Sequence, residues 1–113
     1  MNTPDWSLPF TLHEEVEAVG NGLDFVVNNY GAVLLALTGT FVGTVTWEAS
    51  FDGATWFGVL ATNKTTAAAA LTATAPGLFL IPMQGIGHIR ARVSAWTSGK
   101  LTVKGIAVPY YAA

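Results

Sequence analysis

The chain has no cysteine, so disulfides and thiolate metal sites are excluded, and the redox compartment is left open. It is also poor in charge: 11% of its 113 residues are Asp, Glu, Lys or Arg, against a typical share of roughly 25%. Half the residues (51%) are hydrophobic, which excludes the low-hydrophobicity, high-charge pattern of disorder. The net charge of −2 lacks the basic footprint expected of a nucleic-acid binder. No long apolar run is present; residues 32–37 form the longest stretch and are far too short to span a bilayer. Residues 1–19 have no basic region followed by an apolar core, so no secretory signal is read there. No nucleic acid, membrane, metal or cofactor is expected as a partner.

What remains is one domain of ordinary size with much neutral or apolar surface. Such a surface suits a subunit in contact with other subunits; a monomer covered in Thr and Ser is the alternative. The charges are unevenly placed. Asp5, Glu14, Glu15, Glu17 and Asp24 lie in the first quarter, and every Lys and Arg lies at or after Lys64.

Residues 1–21 read as an extended N-terminal arm, with Pro4 and Pro9 against helix and Trp6, Leu8 and Phe10 alternating. A single helical turn over 13–19 is allowed, stopped at Gly20. Residues 22–113 read as the folded domain. Strands are expected over 23–27, 32–37 (central, apolar on both faces) and 78–82, with a loop and irregular edge strand over the Ala/Thr-rich 61–75.

Two stretches carry the strongest pattern. Residues 44–59 read TVTWEASFDGATWFGV and residues 89–108 read IRARVSAWTSGKLTVKGIAV. Each has the form of an alternating strand, a Gly-containing turn and a second alternating strand, which predicts a β-hairpin. A two-residue turn at Asp52-Gly53 places Trp47 across from Gly58, Val45 across from Leu60 and Ala49 across from Trp56. Trp47 and Trp56 are then core, while Thr44, Thr46, Glu48 and Ser50 face the wetter side. A three-residue loop at 97–99 places Val93 across from Val103, Ala95 from Leu101 and Ile89 from Ala107, with Gly99 left-handed. That register sets Arg92 opposite Lys104, like charges that repel unless an acid lies nearby.

These signals predict an all-β fold: a single antiparallel β-sandwich, jelly-roll-like, of about seven or eight strands. Catalytic chemistry is not legible. His13 and His88 are isolated from other ligands, Asp52 reads as a turn former, and Ser7, Ser50, Ser94 and Ser98 lack a nucleophile elbow. Glu14, Glu15 and Glu17 crowd one arm rather than facing each other across a cleft. No enzyme activity is expected.

The candidate functional residues are therefore those of an interface. Arg90, Arg92 and Lys104 form a basic strip, which Glu14, Glu15 and Glu17 of the same or a neighbouring chain are expected to neutralise, while Trp6 and Phe10 bury apolar surface. A plain solvated strand face is the alternative. Trp96 shares the outer face with Arg90, Arg92 and Ser94, and Tyr110 and Tyr111 lie near the C-terminus. Trp96 is either covered by its own chain or part of a contact between subunits, with sugar stacking a third option.

The string GTFVGTVTWEASFDGATWFGV, followed by HIRARVSAWTSGKLTVKGIAV, resembles small β-sandwich proteins and domains of tailed-bacteriophage particles. The resemblance covers residues 23–108. It implies a structural protein of the virion, made in the host cytoplasm, whose copies contact one another and other particle proteins in capsid decoration, in a connector or in the viral tail. It casts residues 44–50, Asp52-Gly53, Trp56, Arg90 and Arg92 as framework positions. The alternative it implies is a receptor- or carbohydrate-binding module of a tail or fibre, with a host-surface glycan as partner. The acidic arm and the Ala/Thr-rich middle depart from the family pattern.

Overall fold

Two long strands organise the molecule. In the computed structural model, which describes residues 9–26, 30–83 and 86–109, β3 (Tyr30–Ser50) and β9 (His88–Pro109) pair antiparallel from Tyr30 opposite Pro109 to Ser50 opposite His88. The shorter strands line the outer sides of this ribbon. β1 (Phe10–Val16) and β2 (Asp24–Val26) pair with β9. β4 (Phe57–Gly58), β7 (Thr72–Ala73) and β8 (Gly77–Pro82) pair with β3, and β5 (Ala61–Asn63) and β6 (Ala69–Ala70) continue the sheet beyond β8. All nine strands belong to one antiparallel sheet, and no helix forms among the described residues. Nine strands arise where about seven or eight were expected: 61–75 contributes three very short ones in place of one irregular edge and the arm adds β1, while 32–37 and 44–50 fuse into β3 and the two halves of 89–108 into β9.

The sheet closes into a sandwich because the ribbon bends. Phe79 is paired with Leu35, yet its ring centroid lies 5.0 Å from that of Trp47, a dozen positions further along β3. In a straight strand the two sites would be about 40 Å apart at roughly 3.3 Å per residue. On the other side Phe10, opposite Gly105, stacks on Phe25, opposite Ile89, with centroids 3.9 Å apart. Register shifts near Val42 and Thr44 mark the bend. Gly39 (φ 114°) and Gly99 (φ 95°) flank it, and a Cβ on either would run into a carbonyl oxygen of the other strand, that of Lys100 or of Thr40. Only glycine meets both demands.

Alternation then sorts the faces. Val33, Leu35, Leu37, Val45 and Trp47 of β3 meet Ile89, Ala91, Val93, Leu101 and Val103 of β9 in a core with almost no solvent exposure. At roughly 25 cal/mol per Å² of buried apolar surface, this double row is the main source of stability.

The final hairpin does not form. β9 runs through residues 97–99 unbroken, so Val93 faces Val45, Ile89 faces Ala49, Ala107 faces Val33 and Leu101 faces Gly39. Gly99 is left-handed as expected, but within a continuous strand and paired with Phe41, two residues from the register shift that skips Thr97. Period-2 alternation assigns a face to each residue and leaves the partner open. Arg92 consequently faces Thr46, and Lys104 faces Ala36 and Thr11, so those two cations are not opposed.

The first hairpin exists with a longer loop and a register one residue away from the expected one: Glu48 faces Gly58 and Ala49 faces Phe57. Ser50 and Asp52 wind the chain locally, with Asp52 Oδ1 accepting N–H bonds from Ala54 and Thr55 and Ser50 Oγ accepting one from Gly53. The arm is extended where described. Phe10–Val16 is a strand rather than the start of a helical turn, and it buries Leu12 and His13 against β9. His13 Nε2 donates to the carbonyl oxygen of Ala91, which satisfies the buried ring on a backbone group.

Candidate functional site

Ion pairs and a cation–π contact concentrate where the first half of β9 meets the second half of β3. Alternation puts Thr46 and Glu48 of β3 on the outer face beside Arg90, Arg92 and Ser94 of β9. The Thr46 and Ser94 hydroxyls are 2.8 Å apart. Glu48, only 8% exposed, accepts the Nε–H of Arg90 on Oε1 (2.8 Å) and that of Arg92 on Oε2 (3.0 Å). The Trp56 ring covers the Arg90 guanidinium at 4.1 Å, a cation–π contact. His88 stands edge-on to Trp56 and places Nδ1 3.0 Å from Asp24 Oδ2.

The loop 51–56 is thereby clamped to β9. Asp52 keeps its charge to unusually low pH: the N–H groups of Thr55 and Ala54 and the Ser50 hydroxyl hold its carboxyl at about 2. In register, Asp24 and Glu48 stand on either side of Arg90, but Glu48 alone pairs with both guanidiniums, and Asp24 pairs with His88. Arg90 Nε, both Glu48 oxygens and Asp52 Oδ1 are engaged in bonds within the chain. This arrangement locks the geometry of the outer face. Among the described residues no three of His, Asp and Glu are placed to share a metal.

The expected interface residues are distributed differently from the expected strip. Arg90 and Arg92 converge on Glu48 instead of on the arm. Glu15 and Glu17 approach Lys100 at 4.0 and 3.9 Å, all three well exposed, contacts worth about 0–1 kcal/mol each. Glu14 and Lys104 are exposed and lie apart from Arg90 and Arg92. Phe10 is half-buried on Phe25. Trp96 is half-buried against the core and stacks on Phe41 with centroids 6.4 Å apart, so its own chain covers much of it. Trp56 leaves the core position expected for it and lies over Arg90, because the longer loop shifts its register. Trp6, Tyr110 and Tyr111 lie outside the described residues.

Glu48 escaped the sequence reading as the partner of both arginines. Its position on the wet face of its strand was visible, but joining it to Arg90 required knowing that β9 pairs with β3.

A second feature is the distribution of exposed apolar side chains. Val19, Leu23 and Val26 lie on the β9 side of the sandwich, and Phe57, Leu60 and Leu71 on the β3 side, all 49–67% exposed. Phe51, the first residue of the clamped loop, is 76% exposed. Beside it Phe57, Val59, Ile86 and Ala49 line a shallow apolar notch.

Comparison with known proteins adds the following. A family model described as XepA matches residues 7–107. No curated protein matches the chain. The crystal structure of SPBc2 prophage-derived protein YomS is similar, with a TM-score of 0.82 at 22% identity over 88% of this chain and 89% of that one. The crystal structure of PBSX exported protein XepA has a TM-score of 0.84 at 20% identity over 88% of this chain. The present chain spans 37% of that protein's length. At such identities the two structures establish a shared fold.

Proposed function

This chain belongs to the XepA family, and we propose that it is a non-enzymatic structural protein of a phage particle, present in repeated copies and acting through protein–protein contacts. The observation that carries this reading is the exposed apolar surface of a chain with few charges: nine large hydrophobic side chains among the described residues are 39–76% exposed. Surfaces of that kind are contact surfaces. The family supplies the setting, since YomS is a prophage-derived protein and XepA an exported protein of PBSX. The lock around Glu48 fits the same role, because a rigid sheet loses little freedom on assembly and so binds at lower entropic cost. Its partners are further copies and other particle proteins, in the capsid or the tail, with no nucleic acid or membrane involved. The receptor- or carbohydrate-binding alternative uses Trp96 with Tyr110 and Tyr111; Trp96 is stacked on Phe41, which leaves less of that ring free for a sugar, and the two tyrosines lie outside the described residues.

A second reading has one observation in its favour: the larger structural relative is an exported protein. On that reading the subunit works outside the particle. One experiment separates the two. Particles from an induced lysate are purified on a density gradient, and the protein is quantified by mass spectrometry in particle and soluble fractions. Many copies per particle support the structural reading. Recovery in the soluble fraction alone overturns it in favour of the second.

A further inference from the structure

We infer that Asn21 is a site of spontaneous modification: its carboxamide closes a cyclic imide with the Gly22 nitrogen and is converted to an aspartyl or isoaspartyl residue. The isoaspartyl form loosens the corner where residues 20–23 join β1 to β9.

The reaction needs two groups at liberty, a side-chain carbonyl carbon and the backbone nitrogen of the next residue. Asn-Gly occurs once in the chain, at 21–22, and Asp-Gly once, at 52–53. Glycine in second place has no Cβ to shield its nitrogen. Asn21 and Gly22 are both exposed. Neither the Asn21 carboxamide nor the Gly22 N–H has a hydrogen-bond partner among the described residues. The comparable sites at Asp52 and Asn63 are held. Asp52 Oδ1 accepts from the Ser50 hydroxyl and from the N–H groups of Ala54 and Thr55, while the Gly53 N–H is taken by Ser50 Oγ. The same bonds keep Asp52 charged, and a carboxylate resists attack by a nucleophile. Asn63 Oδ1 accepts from Thr65 and Thr66, and the Lys64 N–H donates to the Leu78 carbonyl. Asn21 differs from both in having each reacting group free.

Solvent base removes the Gly22 amide proton, the nitrogen bonds to Asn21 Cγ, and the Cγ–Nδ2 bond breaks to release ammonia. Water then opens the imide. Addition at Cγ breaks the new bond to nitrogen and leaves aspartate in an ordinary backbone. Addition at the main-chain carbonyl carbon breaks that carbon's bond to the Gly22 nitrogen instead, so the backbone runs through Cβ and Cγ and is one methylene longer. Its position makes that methylene matter. Gly20 exchanges both backbone hydrogen bonds with Val93 (3.1 and 2.8 Å), and the Leu23 N–H donates to the Leu12 carbonyl (3.1 Å). The segment is thus pinned to β9 at one end and to β1 at the other. Between the pins Gly22 is left-handed (φ 68°) and so close to the His13 ring and the Leu12 carbonyl that a Cβ would collide with both. His13 is buried and bonded to the Ala91 carbonyl, so its ring has little room to retreat. A lengthened backbone strains one pin or the other.

The test incubates the full chain at mildly alkaline pH and maps its peptides by electron-transfer fragmentation, which tells asparagine, aspartate and isoaspartate apart. Asn21 should be converted, with isoaspartate in excess over aspartate. The rate should lie within about tenfold of that in a free peptide of residues 17–26, a barrier difference of no more than about 1.4 kcal/mol. Asn63 should stay intact and Asp52 unisomerised over the same period. Asn21→Gln, whose extra methylene disfavours the ring, should lose the signal and keep the fold by circular dichroism. An unconverted Asn21, conversion slower than that range, or equal conversion at Asn63 overturns the site. The isoaspartyl fraction is then separated by ion exchange and its amide exchange measured. Gly20, Leu23 and Val93 should exchange faster than in the unmodified protein by up to about tenfold, the upper worth of one backbone hydrogen bond. Asn21→Asp, which adds the charge without the methylene, should keep its protection. Unchanged protection in the isoaspartyl fraction overturns the loosening, and equal loss in Asn21→Asp overturns the lengthened backbone as its cause.

Discussion

Glu48 and Arg90 face each other across β3 and β9 with Oε1 and Nε 2.8 Å apart, although 42 positions separate them in the chain. Glu48 uses its second oxygen on Arg92, and Trp56 closes over Arg90. One carboxylate thus ties together two arginines of β9 and, through Trp56, the loop that follows β3.

Glu48→Ala should therefore cost on the order of 3 kcal/mol, because it leaves a largely buried guanidinium without its counter-charge. Arg92→Ala should cost about 1 kcal/mol or less, since that side chain is 39% exposed. Urea denaturation measures both, and equal losses would contradict the unequal burial.

Gly99→Ala and Gly39→Ala should each destabilise the protein by more than about 1–2 kcal/mol, since a left-handed backbone alone costs that much for other residues and the added methyl also meets a carbonyl oxygen. Gly20→Ala is the control: no atom lies within 4 Å of its new Cβ, and no shift beyond about 0.5 kcal/mol is expected. Melting temperatures of the three variants check this.

Trp47 is fully buried, yet its indole Nε1 has no hydrogen-bond partner among the described residues. Trp47→Ala should cost about 3–5 kcal/mol through the cavity it leaves. Trp47→Phe should cost clearly less, because it keeps an aromatic ring beside Phe79 and removes an unpaired donor. Comparable losses for the two would mean that the indole N–H matters.

Acid should loosen the loop 51–56 in a defined window. The Asp52 carboxyl is held at about 2, below its ordinary 3.8, by the N–H groups of Thr55 and Ala54 and by Ser50. A depressed value means that the charged form favours the folded loop. Its contribution is complete above pH about 4 and is lost as pH falls toward 2. Amide exchange of Ala54 and Thr55, corrected for intrinsic rates, should show protection falling across that window in the natural sequence. In Asp52→Asn that component should vanish. An unchanged acid profile in the variant would assign the effect to another group.

Much of the fold was legible. Alternation in residues 44–50 and 89–95 correctly placed Val45, Trp47, Ile89 and Val93 inside and Glu48, Arg90 and Arg92 on the other face. The strands at 24–26, 32–37 and 78–82 and the left-handed Gly99 followed from the same local reading. The candidate site was less so. Arg90 and Arg92 stand out in the sequence, but local charge points to the arm for their counter-charge and strand alternation points Trp56 into the core, whereas the fold gives both arginines to Glu48 and lays Trp56 over Arg90.

Local sequence determines which face of a strand each residue occupies, because side chains alternate with a period of two whatever the partner. It also determines where glycine is needed. It does not determine which strand lies alongside, because any apolar face of suitable length satisfies the same alternation. Whether Ser98-Gly99 turned the chain back or merely kinked it was settled by tertiary packing. Leaving β9 unbroken lets its apolar row lie along that of β3 from Val33 to Ala49, and that single pairing brought Glu48 to Arg90.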